Sequence, residues 1–268
     1  MKGAKFANAV MILTVVLLFV GACKSVPPPP NATPALPDQL LFFGNGLTYY
    51  NLGVSEHLKL LVASADPPIR IEVQELTGGN VRLKDILESS RTAAIQEGTW
   101  DVVILQEYPQ WATRDEFFDA VRKFDNEIKA AGAQTVLYMT WERNSLKKFI
   151  TTDEIAENHR QIAEELGIKV APVGLAWQRS IEERPDLELY DSDGLYPSAR
   201  GTYLAVCVLY ATIFERIPVG FDYQPADMIV DVEVLQFKWK KWLMTDDEIA
   251  FLQRIAWETV VDYQSQDK

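Results

Sequence analysis

Asp193 and Tyr196 stand three residues apart in an acidic stretch around Gly194, with Asp191 just before them, while Glu107 and Glu142 close two apolar runs far upstream. Carboxylates gathered at one crevice can orient a general base or hold a hard cation through oxygen. The spacing of Asp191, Asp193, Glu107 and Glu142 matches no recognised metal loop, so neither metal nor cofactor is expected. Acyl transfer through an activated oxygen needs a nucleophile with a base within hydrogen-bond reach. The chain has 2 histidines. His57 falls on a helix after the first apolar run and His159 among Glu157, Asn158 and Arg160; both read as structural. Among hydroxyls, Ser198 reads as the cap of the helix that follows it, and Thr48, two residues past Gly46, is expected to point away from a reaction centre. Cys207 sits in the apolar run 203–213 and reads as a buried core residue.

The elements that must carry these residues follow from periodicity. From residue 40 onward, short runs rich in β-branched and aromatic residues alternate with longer helical-period segments, the pattern of a parallel sheet with helices on both faces. Strands are predicted at 40–45, 69–76, 101–107, 134–141 and 168–174. Helices are predicted near 54–65, 82–97, 115–131 and 152–166, then at 176–183, 199–215 and 246–263. Pro67 and Pro68 end the first helix, Gly132 and Gly167 stop the third and fourth, and Asp153 is the expected cap of the fourth. In such a sheet the ligand crevice lies outside the carboxyl ends of the strands, after Asn45, Leu76, Glu107 and Trp141.

With 268 residues, 48% hydrophobic and 24% charged, the chain can bury a sizeable core. A net charge of −12 disfavours a nucleic-acid or anionic-lipid surface and fits neutral ligands better. Residues 1–22 differ from the rest: Lys2 and Lys5 precede an almost wholly apolar 10–20 and the small pair Gly21 and Ala22, the layout of a secretory signal. Its apolar core is shorter than the roughly 20 residues of a spanning helix. Val20-Gly21-Ala22-Cys23 resembles the lipobox of bacterial lipoproteins, which implies a lipidated Cys23 at the mature N-terminus and a chain anchored in the cell envelope, at the outer membrane or the periplasmic face or surface. Residues 23–38, with Pro27 to Pro30 and Pro34, form a stiff tether, and 39–268 the folded domain. Acylation of Cys23 leaves Cys207 without an intradomain disulfide partner.

Leu41-Phe42-Phe43-Gly44-Asn45-Gly46-Leu47-Thr48 resembles the first block of the SGNH (GDSL-like) hydrolases, in the branch with Gly-Asn-Ser followed by a hydrophobic residue and Thr. Thr77-Gly78-Gly79 resembles the second block and Leu105-Gln106-Glu107 the third. Asp193-Gly194-Leu195-Tyr196-Pro197-Ser198, followed by Gly201-Thr202-Tyr203-Leu204-Ala205, resembles the last. The resemblance spans about residues 40–215 and implies a three-layer, flavodoxin-like α/β fold with a five-stranded parallel sheet. It places the nucleophile at Gly46, the base at Tyr196 and the orienting acid at Asp193, so only the acid is retained. It makes Gly79 and Gln106 the oxyanion or ligand-binding donors. A tyrosine, with a reference pKa of about 10, is a poor base at neutral pH, and Asp193 is free to accept a bond from it.

Three readings stay open: a catalytically degenerate lipoprotein whose crevice binds an ester- or acetyl-bearing ligand such as a modified glycan; a weak or rewired esterase or deacetylase; and an envelope interaction protein contacting partners through 237–242, where Phe237, Trp239 and Trp242 interleave with Lys238, Lys240 and Lys241. Whether it is an enzyme, and its oligomeric state, are undecided at this level.

Overall fold

In the computed structural model, which describes residues 35–144, 149–228 and 242–266, five parallel strands form one sheet in the order β2-β1-β3-β4-β5. They are β1 (Gln39–Gly44), β2 (Glu72–Thr77), β3 (Val102–Leu105), β4 (Gln134–Tyr138) and β5 (Lys169–Ala171). This is the flavodoxin-like order, as the resemblance implies. The chain divides into Met1–Ala35 and Leu36–Lys268, and every element below lies in the second unit. Lys2, Lys5, the apolar run 10–20, Cys23 and Pro27 to Pro30 lie outside the described residues. Among the described residues no helix is long and apolar enough to cross a membrane.

Strand side chains alternate between faces. Leu40, Phe42, Val102, Ile104, Val136 and Tyr138 pack in one core with α2 (Val54–Ala63), α7 (Val173–Glu183), α8 (Ala199–Phe214) and α9 (Asp246–Gln266). Leu41, Phe43, Val103, Leu105 and Leu137 pack in the other with α3 (Leu83–Leu87), α4 (Ala93–Glu97), α5 (Arg114–Ala130) and α6 (Thr152–Leu166). Both faces are covered, which is why the central strands read as continuous apolar runs rather than as an alternation. A four-residue helix, α1 (Gly46–Tyr49), leaves the end of β1.

Several expectations are corrected. The fifth strand is three residues long: Pro172 cannot donate to a ladder, and Gly174 already lies in α7. The second strand begins three residues later than expected, at Glu72. The single helix expected over 82–97 is α3, a 3-10 turn (Ser90–Thr92) and α4, because Ser89 donates its hydroxyl to Ile86 O (2.6 Å) and accepts from Arg91 N–H. The cap of α6 is Thr151, not Asp153. Thr151 Oγ1 accepts from Glu154 N–H, and Glu154 reaches back to the Thr151 N–H at 2.8 Å, a capping box that leaves Asp153 in the first turn. Gly132 (φ 85°) and Gly167 (φ 65°) do stop α5 and α6 in the left-handed region. Ser198 caps α8, accepting from Gly201 N–H at 3.2 Å. Cys207 lies on α8 fully buried, and burial pushes its thiol up.

Candidate functional site

β1 ends in a turn built around one buried amide. Gln106, the residue after β3, accepts at Oε1 from the Asn45 N–H (2.9 Å) and the Thr48 hydroxyl (2.9 Å), while its Nε2 donates to Glu107 O. Asn45 in turn caps α1, taking the Leu47 N–H on Oδ1 at 3.1 Å and donating Nδ2 to Val81 O at 3.2 Å. Asn45, Thr48 and Gln106 are all buried. A side chain at Gly44 would put its Cβ 2.5 Å from Thr48 Oγ1 and 2.8 Å from Gln106 Oε1, so the network requires glycine there. Two readings are settled by this. Thr48 is spent inside the fold. Gln106, expected as a donor toward a ligand, is buried with its Oε1 and one amide N–H engaged inside the turn, and a carboxamide turned away would strand the Asn45 and Thr48 donors.

Gly46 heads α1 with no left-handed φ, so its dihedrals do not demand glycine. The demand comes from Tyr196: a Cβ at position 46 would sit 2.7 Å from both Cε1 and Oη of that ring. The phenol thus occupies the volume that any side chain at position 46 would need. Tyr196 is held there by the flat ring of Tyr50, stacked at 4.6 Å and 19°, and Tyr50 Oη donates to Asp191 Oδ2 at 2.7 Å. That bond, burial and the nearby acids push the Tyr50 phenol up to about 12. Burial, Tyr49 and Asp193 likewise raise Tyr196, so at neutral pH it is a hydrogen-bond donor and no base. Asp193 Oδ1 accepts the backbone N–H of Leu195 (2.8 Å) and of Tyr196 (2.9 Å), so its bond from Tyr196 comes from the main chain. Asp193 thus shapes the turn that aims the ring. Gly79 is exposed at the end of β2, its Cβ position 3.7 Å from the Tyr49 hydroxyl.

The two histidines are buried elsewhere. His57 donates Nε2–H to Asn51 O (2.7 Å), since a carbonyl can only accept, which leaves Nδ1 to accept from the Tyr223 hydroxyl. Asn51, in the left-handed region at φ 54°, donates Nδ2 to Pro197 O (2.8 Å) and Thr202 Oγ1 (2.9 Å). His57 therefore ties the first loop to the segment directly after Tyr196, a positioning role. His159 donates Nδ1–H to Ile155 O at 2.8 Å and lines a small cavity of about 40 Å³ together with Glu107 and Phe117. Glu107 faces that side, taking the N–H groups of Tyr108 (2.6 Å) and Leu83 (3.2 Å) on Oε1, so it does not join Asp191 and Asp193. Among the described residues no three histidine, cysteine or acidic side chains are grouped to hold a metal ion. Residues 237–241 of the expected contact segment lie outside the described residues. Trp242 is buried against Ala199 and Ala226, which corrects its reading as an exposed contact.

Some site residues carried no signal of their own in the sequence. Tyr50 and Asn51 were visible only as neighbours of the first block. Tyr108, Trp111 and Arg143 follow β3 and β4 at loop positions where any polar or aromatic residue reads as rim.

Sheet order, strand-end glycines and the Asp193 turn define an SGNH-hydrolase-like α/β fold. Solved structures agree. A protein from Slackia heliotrinireducens assigned to the SGNH hydrolases is 27% identical, with a TM-score of 0.56, over 65% of this chain and 98% of that one. A DUF4886 family protein from Bacteroides uniformis reaches a TM-score of 0.63 at 15% identity over 86% of this chain and 96% of that one. An acetylxylan esterase from Geobacillus stearothermophilus has a TM-score of 0.55 at 18% identity over 66% of this chain and 94% of that one. Neither family models nor curated proteins give a match to the sequence.

Proposed function

We propose that this protein is a bacterial envelope lipoprotein, lipidated at Cys23, whose SGNH-type crevice holds an ester- or acetyl-bearing saccharide without hydrolysing it. The observation that carries this reading is the Tyr196 ring over Gly46: the nucleophile position has no oxygen, the base position has a protonated phenol, and the one fills the room of the other. Hydrolysis by the usual route needs both lost groups. Recognition needs neither. A bound ester carbonyl can accept from the Tyr196 hydroxyl and from the backbone N–H of Gly79, and Tyr49, 40% exposed, offers a ring face at the same mouth. The esterase neighbour acts on acetylated xylan by its name, and the same ligand chemistry, an acetylated polysaccharide, suits a domain tethered outside the cell. The negative charge of the chain argues for a neutral or locally recognised ligand rather than a polyanion drawn in by long-range attraction.

The test is calorimetric titration of the full chain, in mild detergent, with acetylated xylo-oligosaccharide, followed by assay of released acetate. Saturable binding with the acetyl groups recovered intact is expected, and Tyr196→Phe should weaken it several-fold by removing one donor. Release of acetate in step with protein concentration would overturn the reading.

A further inference from the structure

Tyr50 is gripped at both ends of its side chain. Its ring stacks on Tyr196 with centroids 4.6 Å apart, and its hydroxyl donates to Asp191 Oδ2 at 2.7 Å. Asp191 is itself built into the turn that carries Tyr196. Its N–H donates to Tyr196 O (2.8 Å), its carbonyl accepts from the Gly194 N–H (2.9 Å), and its Oδ1 takes the Ser192 N–H (2.7 Å). Three contacts therefore close a circuit, from the Tyr196 ring to Tyr50, from Tyr50 to Asp191, and from Asp191 back to Tyr196 through the main chain. Gly46 is the floor beneath it, since a Cβ there would meet the Tyr196 ring at 2.7 Å.

The backbone after Tyr50 is strained to the same end. Asn51, Leu52 and Gly53 follow one another at φ 54°, 76° and 89°. Leu52 is 55% exposed, so burial of its side chain does not offset a conformation that residues with a Cβ rarely adopt. Tertiary bonds sustain it: Asn51 Nδ2 donates to Pro197 O and Thr202 Oγ1, and Asn51 O accepts from His57 Nε2. These bonds fasten the residue after Tyr50 to the residue after Tyr196, which fixes the approach of the two rings. Backbone strain persists where the surroundings over-determine it, and ligand clamps are such places.

A hydrogen bond weakens steeply once donor and acceptor leave their line, and a side chain that can turn loses rotamer freedom when a ligand captures it. A ring fixed before binding avoids both losses. The Tyr50 O–H and Asp191 Oδ2 are engaged with each other, so their effect on a ligand runs through Tyr196. We infer that Tyr50 and Asp191 are positioning residues for ligand binding, the Asp191–Tyr50 bond and the ring stack together fixing where the Tyr196 hydroxyl meets an ester carbonyl. This rests on the reading of the crevice as an acyl-saccharide site and makes its affinity depend on two residues that act through a third.

The experiment has one arm without ligand and one with it. In the first, thermal unfolding is followed for the natural chain, Gly46→Ala, Asp191→Ala and the two substitutions combined. Once Asp191 no longer holds Tyr50, the Tyr196 ring can yield, so Gly46→Ala should lower the midpoint of the Asp191→Ala chain by no more than about half of what it takes from the natural chain. Equal losses in the two backgrounds overturn the positioning role, whatever the ligand. In the second arm, the full chain in mild detergent is titrated with acetylated xylo-oligosaccharide. Asp191→Ala and Tyr50→Leu should each weaken binding about fivefold or more, but less than about twofold when added to Tyr196→Phe. Tyr50→Phe, which keeps the stack, and Asp191→Asn, which has one oxygen for two donors, should each fall between the natural chain and the harsher substitution. Unchanged affinity in Asp191→Ala and Tyr50→Leu, or an undiminished loss on top of Tyr196→Phe, removes the positioning role and leaves the saccharide reading standing. If the natural chain does not bind the probe, both fall.

Discussion

Gly46→Ser is expected to destabilise the protein by about 2 kcal/mol in the natural background and by much less when Tyr196→His accompanies it. The cost is steric. The new Cβ would lie 2.7 Å from the Tyr196 ring, closer than real Cβ atoms approach anything. The ring can relieve this only by leaving its stack on Tyr50, which gives up the contact and exposes apolar surface. A histidine at 196 is shorter and frees the volume. Denaturant unfolding of the natural chain, the two single variants and the double variant closes a thermodynamic cycle, and a favourable coupling of at least ~1 kcal/mol is the expected result. Effects that add within about 0.5 kcal/mol would mean that the two positions do not compete for one space.

The second large effect is on the pH dependence of stability, and it has opposite signs on the two flanks. Burial pulls His57 and His159 down to about 4, against an ordinary value of about 6.5 in the unfolded chain. Between these values the unfolded state binds protons that the folded state refuses, so stability is lost as pH falls from 6.5 toward 4. Glu107 goes the other way. Burial pushes its carboxyl up to about 7 despite the two N–H bonds it accepts, and the folded state keeps a proton that the unfolded chain has released. Stability is then lost as pH rises from about 4.5 to 7 and is flat beyond. Two histidines outweigh one glutamate on the acid side, so these three groups together place the maximum near pH 6.5. Glu107→Gln keeps the accepting oxygen and removes the charge. It should raise stability at pH 8 by up to about 3 kcal/mol and give no gain at pH 4.5. An equal gain at both pH values in denaturant titrations would show that Glu107 does not hold its proton in the folded state.

Most of the sheet was legible because its strands are buried on both faces, and Leu41, Phe42 and Phe43 leave no other reading in so short a run. Helix ends were less legible where side chains compete for the backbone. At Ser89 a hydroxyl breaks what periodicity joins, and at Thr151 the reciprocal bond with Glu154 outcompetes the acid one turn inside. The candidate site was legible in its positions and not in its directions. Sequence placed Gly46 at the end of the first strand and Asp193 and Tyr196 in the loop before the helix at 199–215, but not that a ring 150 residues away fills the space over Gly46. It placed Gln106 at the end of β3, yet whether that amide faces ligand or the Asn45 turn depends on the rotation of one residue after the ladder with β1 ends at Leu105.

The most direct test is hydrolysis of short acyl esters by the full chain in mild detergent beside its Gly46→Ser/Tyr196→His double variant. On the proposed reading, Asp193 would orient the restored histidine and the backbone N–H of Gly79 would receive the oxyanion. The double variant should turn over ester at least ~100-fold faster than the natural chain, whose rate should not fall when Asp193 is replaced by asparagine. A natural chain that matches or exceeds the double variant, and that slows with Asp193→Asn, would contradict a site silenced by the Tyr196 ring and would point to another nucleophile in the same crevice.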